Sequence, residues 1–220
     1  MDVVQALQTR RSIRAFKDAR VDKDTILKIM EAAKKTPSWA NTQPWELFVA
    51  TGEPLERLRK RFLETFRSGV TPDPDITFPK EWPEAHMNRT RTMGKARFAT
   101  LGIERHDKEA RNKFTENNYK FFGAPAVIFV CMDRALTQWS LFDLGAISQS
   151  IMLVAEHYGL NTVPAVMMAS YPNIIREELK IPAEFSIAIG IALGYGDMDN
   201  ILNEYITERR PVDDFLTIIE

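Results

Sequence analysis

The 220-residue chain has one cysteine, Cys131, and three histidines, His86, His106 and His157. A single cysteine excludes an intrachain disulfide and any C-x-x-C redox or zinc motif. Cys131 sits in the apolar run from Val127 to Met132, where a buried strand thiol is a better reading than a nucleophile. The histidines are far apart and lack the spacing of metal ligands, so no metal is expected. Charge of one sign is also missing. The net charge is -1, which gives no global attraction to nucleic acid or to an anionic membrane, and no nucleic-acid-binding motif is present. The most apolar helical stretch, Leu141 to Leu160, is interrupted by Asp143, Gln149, Glu156 and His157 and is too polar to span a bilayer. The N-terminus, with Asp2, Gln5, Gln8 and two arginines, has no apolar core of the signal-peptide kind. A cytoplasmic protein is the expectation.

Common catalytic signatures are missing too. There is no G-x-S-x-G elbow and no H-E-x-x-H. Gly94-Lys95 has Arg89 where a Walker loop needs its first glycine, and Gly190, Gly194 and Gly196 close a strand instead of opening a helix. With no nucleophile, metal site or phosphate loop of its own, an enzyme made of this chain needs a bound cofactor to carry its chemistry.

What is present is an alternation of helices and buried strands. Asp2 can cap a short helix carrying Val3, Val4 and Leu7. A second helix starts near Asp22, with Ile26, Ile29, Met30 and Ala33 at helical spacing, and Pro37 ends it. Trp45 to Ala50 reads as a strand and Pro54 as the start of a helix with Leu55, Leu58, Phe62 and Phe66 on one face. Residues 69–83 hold four prolines and read as an irregular excursion, a candidate lid. Two polar helices fill 84 to 121. Ala126 to Met132 is a fully buried strand, and Leu141 to Tyr158 a helix apolar nearly all round, hence central. Strands follow at Thr162 to Met168 and Ser186 to Leu193, with a helix near Asn173 to Lys180 between them. These elements predict one α+β domain over residues 1–220, an α/β sandwich around a central mixed sheet. The tail, 197–220, closes on Phe215 to Ile219 and needs a surface to cover, naturally that of a second subunit.

Two segments carry binding chemistry. Arg10-Arg11-Ser12-Ile13-Arg14 puts three guanidiniums and a hydroxyl within five residues, which suits a phosphate or another fixed anion. A solvated charged face is the plainer reading of the same run. Pro37-Ser38-Trp39-Ala40-Asn41-Thr42-Gln43-Pro44-Trp45 joins a helix to a strand and offers amides beside aromatic surface. A flavin ring wants such surroundings, with apolar stacking on its face and polar groups at its N3, O2 and O4 edge. The plainer alternative is a capped turn with Trp39 and Trp45 in the core.

Together with Phe121-Phe122-Gly123-Ala124-Pro125, Asp143-Leu144-Gly145, Gly159 to Met168, Leu193-Gly194-Tyr195-Gly196 and Arg209-Arg210-Pro211, these segments resemble the FMN-dependent nitroreductase superfamily across nearly the whole chain. The Phe-Phe-Gly-Ala-Pro element and the polar helices before it are most similar to the nitrobenzoate-reductase-like subgroup. The resemblance implies a homodimer with FMN at the interface and a C-terminal arm embracing the partner subunit. It implies that Arg10, Arg11 and Ser12 hold the phosphate and ribityl chain, that Arg14 approaches the N1 and O2 edge, and that Arg209 adds a second charge on the phosphate. Pro37, Ser38, Trp39 and Asn41 would come from the partner, and Pro164, Ala165 and Val166 would line the face near N5. Trp39 stands where many relatives have a small residue, and Thr207 where some have a lysine or arginine. Pro164-Ala165-Val166 lacks the acidic residue that some relatives place near N5.

The implied activity is an FMN-dependent NAD(P)H oxidoreductase reducing nitroaromatics, quinones or similar small acceptors by ping-pong hydride transfer. NADPH or NADH is the donor, and flavin N5, not a side chain, carries the chemistry. Trp82, Phe121 and Phe122 are the candidate substrate-binding wall, with ordinary core packing the alternative for the two phenylalanines. A flavin-dependent dehalogenase-like enzyme and a non-catalytic FMN-binding protein are the competing readings.

Overall fold

A computed structural model describes residues 1–220. Seven helices and four strands follow one another as α1 (Val3–Thr9), α2 (Lys23–Ala33), β1 (Glu46–Thr51), α3 (Gly52–Arg67), α4 (Glu84–Thr100), α5 (Lys108–Tyr119), β2 (Ala126–Asp133), α6 (Gln138–His157), β3 (Asn161–Ala165), α7 (Pro172–Leu179) and β4 (Phe185–Gly194). Asp2 and Asp22 cap α1 and α2 by accepting the backbone N–H of Gln5 and Thr25. No helix is long and apolar enough to cross a membrane.

The sheet order is β1-β2-β4-β3. Its ladders are all antiparallel, a correction to the mixed sheet expected from sequence. The one parallel pairing is an isolated bridge from Ser12 to Thr162. Strand β2 shows why the run at 126–132 had to be fully buried. Val127, Phe129 and Cys131 enter one core with Leu58 and Phe62 of α3, Tyr119 of α5 and Ile175 of α7. Ala126, Ile128, Val130 and Met132 enter the other with Ile29 of α2 and Ile147 and Ile151 of α6. Successive side chains point to opposite faces, so both faces must be covered. On β4 the register slips opposite Val130 and Cys131, from Ile189 to Ile187. The extra residue sends Ile187 and Ile189 to opposite cores although they are two apart. Burial pushes the Cys131 thiol up to about 12, against a weaker pull from Arg176, as befits an inert core group.

Three sequence expectations change. Strand β3 stops at Ala165, and Val166–Ala169 forms a 3-10 turn. That turn lies flat on β4 because Gly190 has no side chain; a Cβ there would meet the Met168 Cβ at 2.7 Å. Helix α6 is buried along one face only, leaving Trp139 and Phe142 67% and 77% exposed. The 69–83 excursion is anchored at its start. The Tyr171 hydroxyl donates to the Val70 carbonyl (3.1 Å) and the Asp73 amide to Ser170 O (3.0 Å). Asp75 accepts from Arg134, Arg176 and the Ile187 amide. Ile76 still packs against the core, and from Thr77 the excursion is exposed and leads into α4, which has no buried residue at all.

Candidate active site

The N-terminal arginine segment lies along the end of the sheet. Ile13 N–H donates to Thr162 O (3.0 Å) and Lys17 N–H to Tyr195 O (2.8 Å). In this extended run Ile13 and Ala15 point inward and are buried, so Ser12 and Arg14 point away from the core. The buried Asn203 fixes the segment from the other end of the chain. Its Oδ1 accepts the N–H groups of Arg14 (2.6 Å) and Ala15 (3.3 Å), and its Nδ2 donates to Ala15 O and Asp197 O (both 2.8 Å). All four hydrogen-bonding positions of that amide are used. Asn117 of α5 adds a bond from its Nδ2 to Arg14 O (2.9 Å). Neither amide carries a sequence motif. Asn203 shows only as a polar residue in a segment read as a free tail, and the start of that tail belongs to its own chain.

The fold brings Arg10 and Arg209, almost the full chain apart, to one corner. Burial holds the Arg10 guanidinium below its ordinary value, and the nearby Arg209 lowers it further, with Glu156 opposing. Arg14 is pushed down to about 10, by burial first and by Arg97 second. None of Arg10, Arg11, Arg14 and Arg209 belongs to an ion pair within the chain. Like charges gathered with no carboxylate in direct ion-pair contact suit an anionic ligand, and the donor set fits the phosphate of FMN. From the Ser12–Thr162 bridge, β3 runs along the sheet edge to Pro164 and Ala165, both half-buried, and to the exposed Val166 just past its end.

The loop at 37–43 is elsewhere. Ala40, Asn41 and Gln43 all have left-handed backbones, with φ of 50°, 57° and 47°. Three such residues outside glycine are costly, and strain of this kind gathers at functional sites. The buried Asp143 of α6 holds the loop, accepting the Trp39 N–H at 3.2 and 3.3 Å, while Ser38 Oγ accepts the Gln43 N–H at 2.9 Å. Trp39 is 66% exposed, which removes the reading of it as a core residue. With Pro37, Ser38, Trp139, Phe142, Asp143 and Ala146 it lines a largely apolar hollow of about 550 Å³. Trp139 and Phe142, three apart on one helical face, escaped notice because the α6 sequence reads as apolar all round. Asp143 and Glu156 are thirteen residues apart on α6, or about 20 Å. One chain therefore holds the arginine corner and the Trp39 loop at opposite ends of a helix.

The candidate aromatic wall does not form. Trp82 is exposed and lies over His86 at 6.5 Å. Phe121 and Phe122 are buried in the core, with Phe121 against Phe62 (4.9 Å) and Phe129 (6.2 Å). Left-handed φ angles of 50° and 56° in the turn before β2 go with this inward placement. Core packing is the role the structure gives these two rings.

A family model described as the nitroreductase family matches residues 7–195. This chain belongs to the nitroreductase family. It is 32% identical over 216 residues to the nitrobenzene nitroreductase of Ectopseudomonas oleovorans, covering 97% of this chain and 95% of that one. It is 32% identical to the 4-nitrobenzoate reductase of Nocardioides sp. (strain LMS-CY), with 96% and 87% covered. The crystal structure of an FMN and NADPH-dependent nitroreductase NfnB from Sphigopyxis sp. strain HMH superposes with a TM-score of 0.96 at 30% identity, covering 100% of both chains. The four-stranded nitroreductase fold thus extends over the entire chain, including the tail beyond the matched family region.

Proposed function

We propose that this nitroreductase binds FMN between two copies of the chain and reduces nitroaromatic or similar small acceptors with NADPH or NADH. The observation that carries the reading is the unpaired arginine corner, assembled from Arg10 and Arg209 at the two ends of the sequence. Arg10, Arg11, Ser12 and Arg209 hold the phosphate and ribityl chain, and Arg14 faces the N1 and O2 edge. Pro164, Ala165 and Val166 border the ring near N5. Pro37, Ser38, Trp39 and Asn41 act across the dimer, completing a site whose arginine corner lies on the other subunit. Their separation within one chain supports the dimer, as do the exposed Val3, Val4 and Leu7 of α1, Trp139 and Phe142 of α6, and Phe215, Leu216, Ile218 and Ile219 of the tail. The single buried thiol, without a disulfide partner, supports a cytoplasmic setting.

FMN, when bound, supplies hydride acceptance and donation at N5. The chain positions the ring, shields it with the apolar surface of the partner's loop, and places a fixed cation at Arg14 where negative charge gathers on reduction. No side chain need act as a nucleophile. The purified protein should be a yellow dimer that bleaches anaerobically with a reduced nicotinamide and recolours on adding a nitroaromatic. Protein that retains no flavin in the presence of excess FMN would overturn the reading. Bleaching without reoxidation would leave a flavin-binding protein and remove the reductase.

A further inference from the structure

We propose that Arg97 of α4 and Arg14 form one two-guanidinium site for a planar oxyanion, beside the flavin position assigned above, and that Arg97 tunes which anion is held. The inference rests on that FMN reading. Helix α5 and the tail clamp both residues. The amides Asn117 and Asn203 hold the Arg14 backbone. One turn from Asn117, and two residues from Asn203, the rings of Phe114 and Tyr205 lie 5.8 and 5.7 Å from the Arg97 guanidinium. The same two elements thus bring both guanidiniums to one corner.

Each guanidinium offers five N–H donors. Arg14 uses one on its own Ser12 carbonyl (3.1 Å). The Arg97 Nε is buried and has no partner. Neither Arg14 nor Arg97 belongs to an ion pair within the chain, and the charge of Arg97 bears on Arg14. Two partly buried like charges with spare donors repel each other unless an anion lies between them. A planar, two-oxygen or oxygen–nitrogen anionic edge matches the fork of donors that a guanidinium presents. Two sources have that chemistry: the N1–C2–O2 edge of reduced flavin and the carboxylate of an aromatic acceptor.

The rest of α4 fits a dedicated role. It buries no residue, and Phe98 packs edge-on against Phe114 (5.2 Å) beneath Arg111. The two rings account for the placement of the Arg97 side chain, but not for its buried and unpartnered Nε.

The test uses the FMN-loaded enzyme with Arg97→Gln and Arg97→Lys, and with Arg97→Met, which keeps an unbranched chain between the two rings, should the glutamine variant not fold. Two quantities are read at saturating FMN: the flavin midpoint potential, and the affinity for benzoate, a non-reducible probe followed by the flavin spectrum. If the anion is the flavin edge, the potential falls in the neutral variants and benzoate affinity holds. If it is an acceptor carboxylate, benzoate binding weakens roughly ten- to hundred-fold and the potential holds. In either case lysine restores part of the loss. Neutral variants that match the wild type in both quantities, or a loss that lysine does not reduce, would overturn the inference and leave Arg97 as packing between two rings. Wild-type protein without flavin would instead overturn the FMN reading itself.

Discussion

The arginine segment and the Trp39 loop are both short, polar and rich in binding groups, yet they are held in opposite ways. Residues 10–17 are tied to their own chain by the Ser12–Thr162 bridge, by Asn117 and by three of the four bonds of Asn203. The loop at 37–43 keeps three left-handed residues in place with one buried carboxylate and one serine hydroxyl, and turns its tryptophan to solvent. The first is a finished half-site. The second is a shaped but uncovered surface, which in the proposed dimer a second copy covers. In a shared site the two halves need different supports. The cofactor-holding half must exist before the ligand arrives, and the other half need only keep its shape until a second copy docks.

The largest effect should come from breaking the finished half. Asn203→Ala leaves the N–H groups of Arg14 and Ala15 and the carbonyls of Ala15 and Asp197 without their partner in a buried place. A loss of about 3 kcal/mol or more in urea unfolding is expected, together with release of FMN. A stable variant with normal flavin content would mean that the bridge to β3 suffices. Asp143→Ala attacks the other half and should cost less, about 1–2 kcal/mol, since one charge-assisted bond is lost. Its signature is local: faster proteolysis at 37–43 and weaker dimerisation, measured by limited digestion and analytical ultracentrifugation. Unchanged digestion would show that strain, not Asp143, sets the loop.

Two exposed side chains sharpen the contrast. Arg209 is exposed and bonds only to Thr207 and Glu208. Arg209→Ala should leave unfolding unchanged to within about 0.5 kcal/mol. FMN affinity should fall roughly ten- to hundred-fold, with activity recovered in excess FMN. A structural role would instead show as lost stability that FMN does not restore. Trp39→Ala should likewise leave the isolated chain within about 0.5 kcal/mol of the wild type, because its ring is exposed. The effect should fall on the dimer and its flavin, seen as a raised dimer dissociation constant. Lost chain stability would return the ring to the core.

The sequence announces the parts of this fold that follow from periodicity. The buried strand at 126–132, the two aspartate caps and the amphipathic faces of α2 and α3 are all where composition and spacing put them. What it conceals is set by a single residue or by distance. The slip at Ala188 changes which of the two cores each β4 side chain enters without leaving a breaker such as proline or glycine at that point. Asn203 reads as one more polar residue in a tail, although three of its four bonds bind that tail to Arg14 and Ala15, nearly two hundred positions away. Phe121 and Phe122 look like a binding wall, because an aromatic pair reads the same whether the backbone turns it inward or outward. The exposed face of α6 is hidden for the opposite reason: its outward residues are as apolar as its core.

The smallest change tests the strain itself. Ala40 sits at φ 50° and ψ 25°, a conformation that costs a residue with a Cβ about 1–2 kcal/mol and glycine almost nothing. Its side chain is exposed, so Ala40→Gly removes almost no buried surface. The unfolded chain, however, gains about 0.4–1 kcal/mol of conformational freedom with glycine. The balance predicts a variant of equal or slightly greater stability, by less than about 1 kcal/mol, an unusual sign for placing glycine in an ordered position. FMN binding to the dimer should tighten slightly at the same time, because glycine holds the left-handed shape without the steric cost that Ala40 carries. Paired urea titrations and FMN binding curves measure both effects. A loss of more than about 0.5 kcal/mol would show that the left-handed turn is not strained at Ala40. Stability gained with unchanged FMN binding would show that the strain has no part in holding the cofactor.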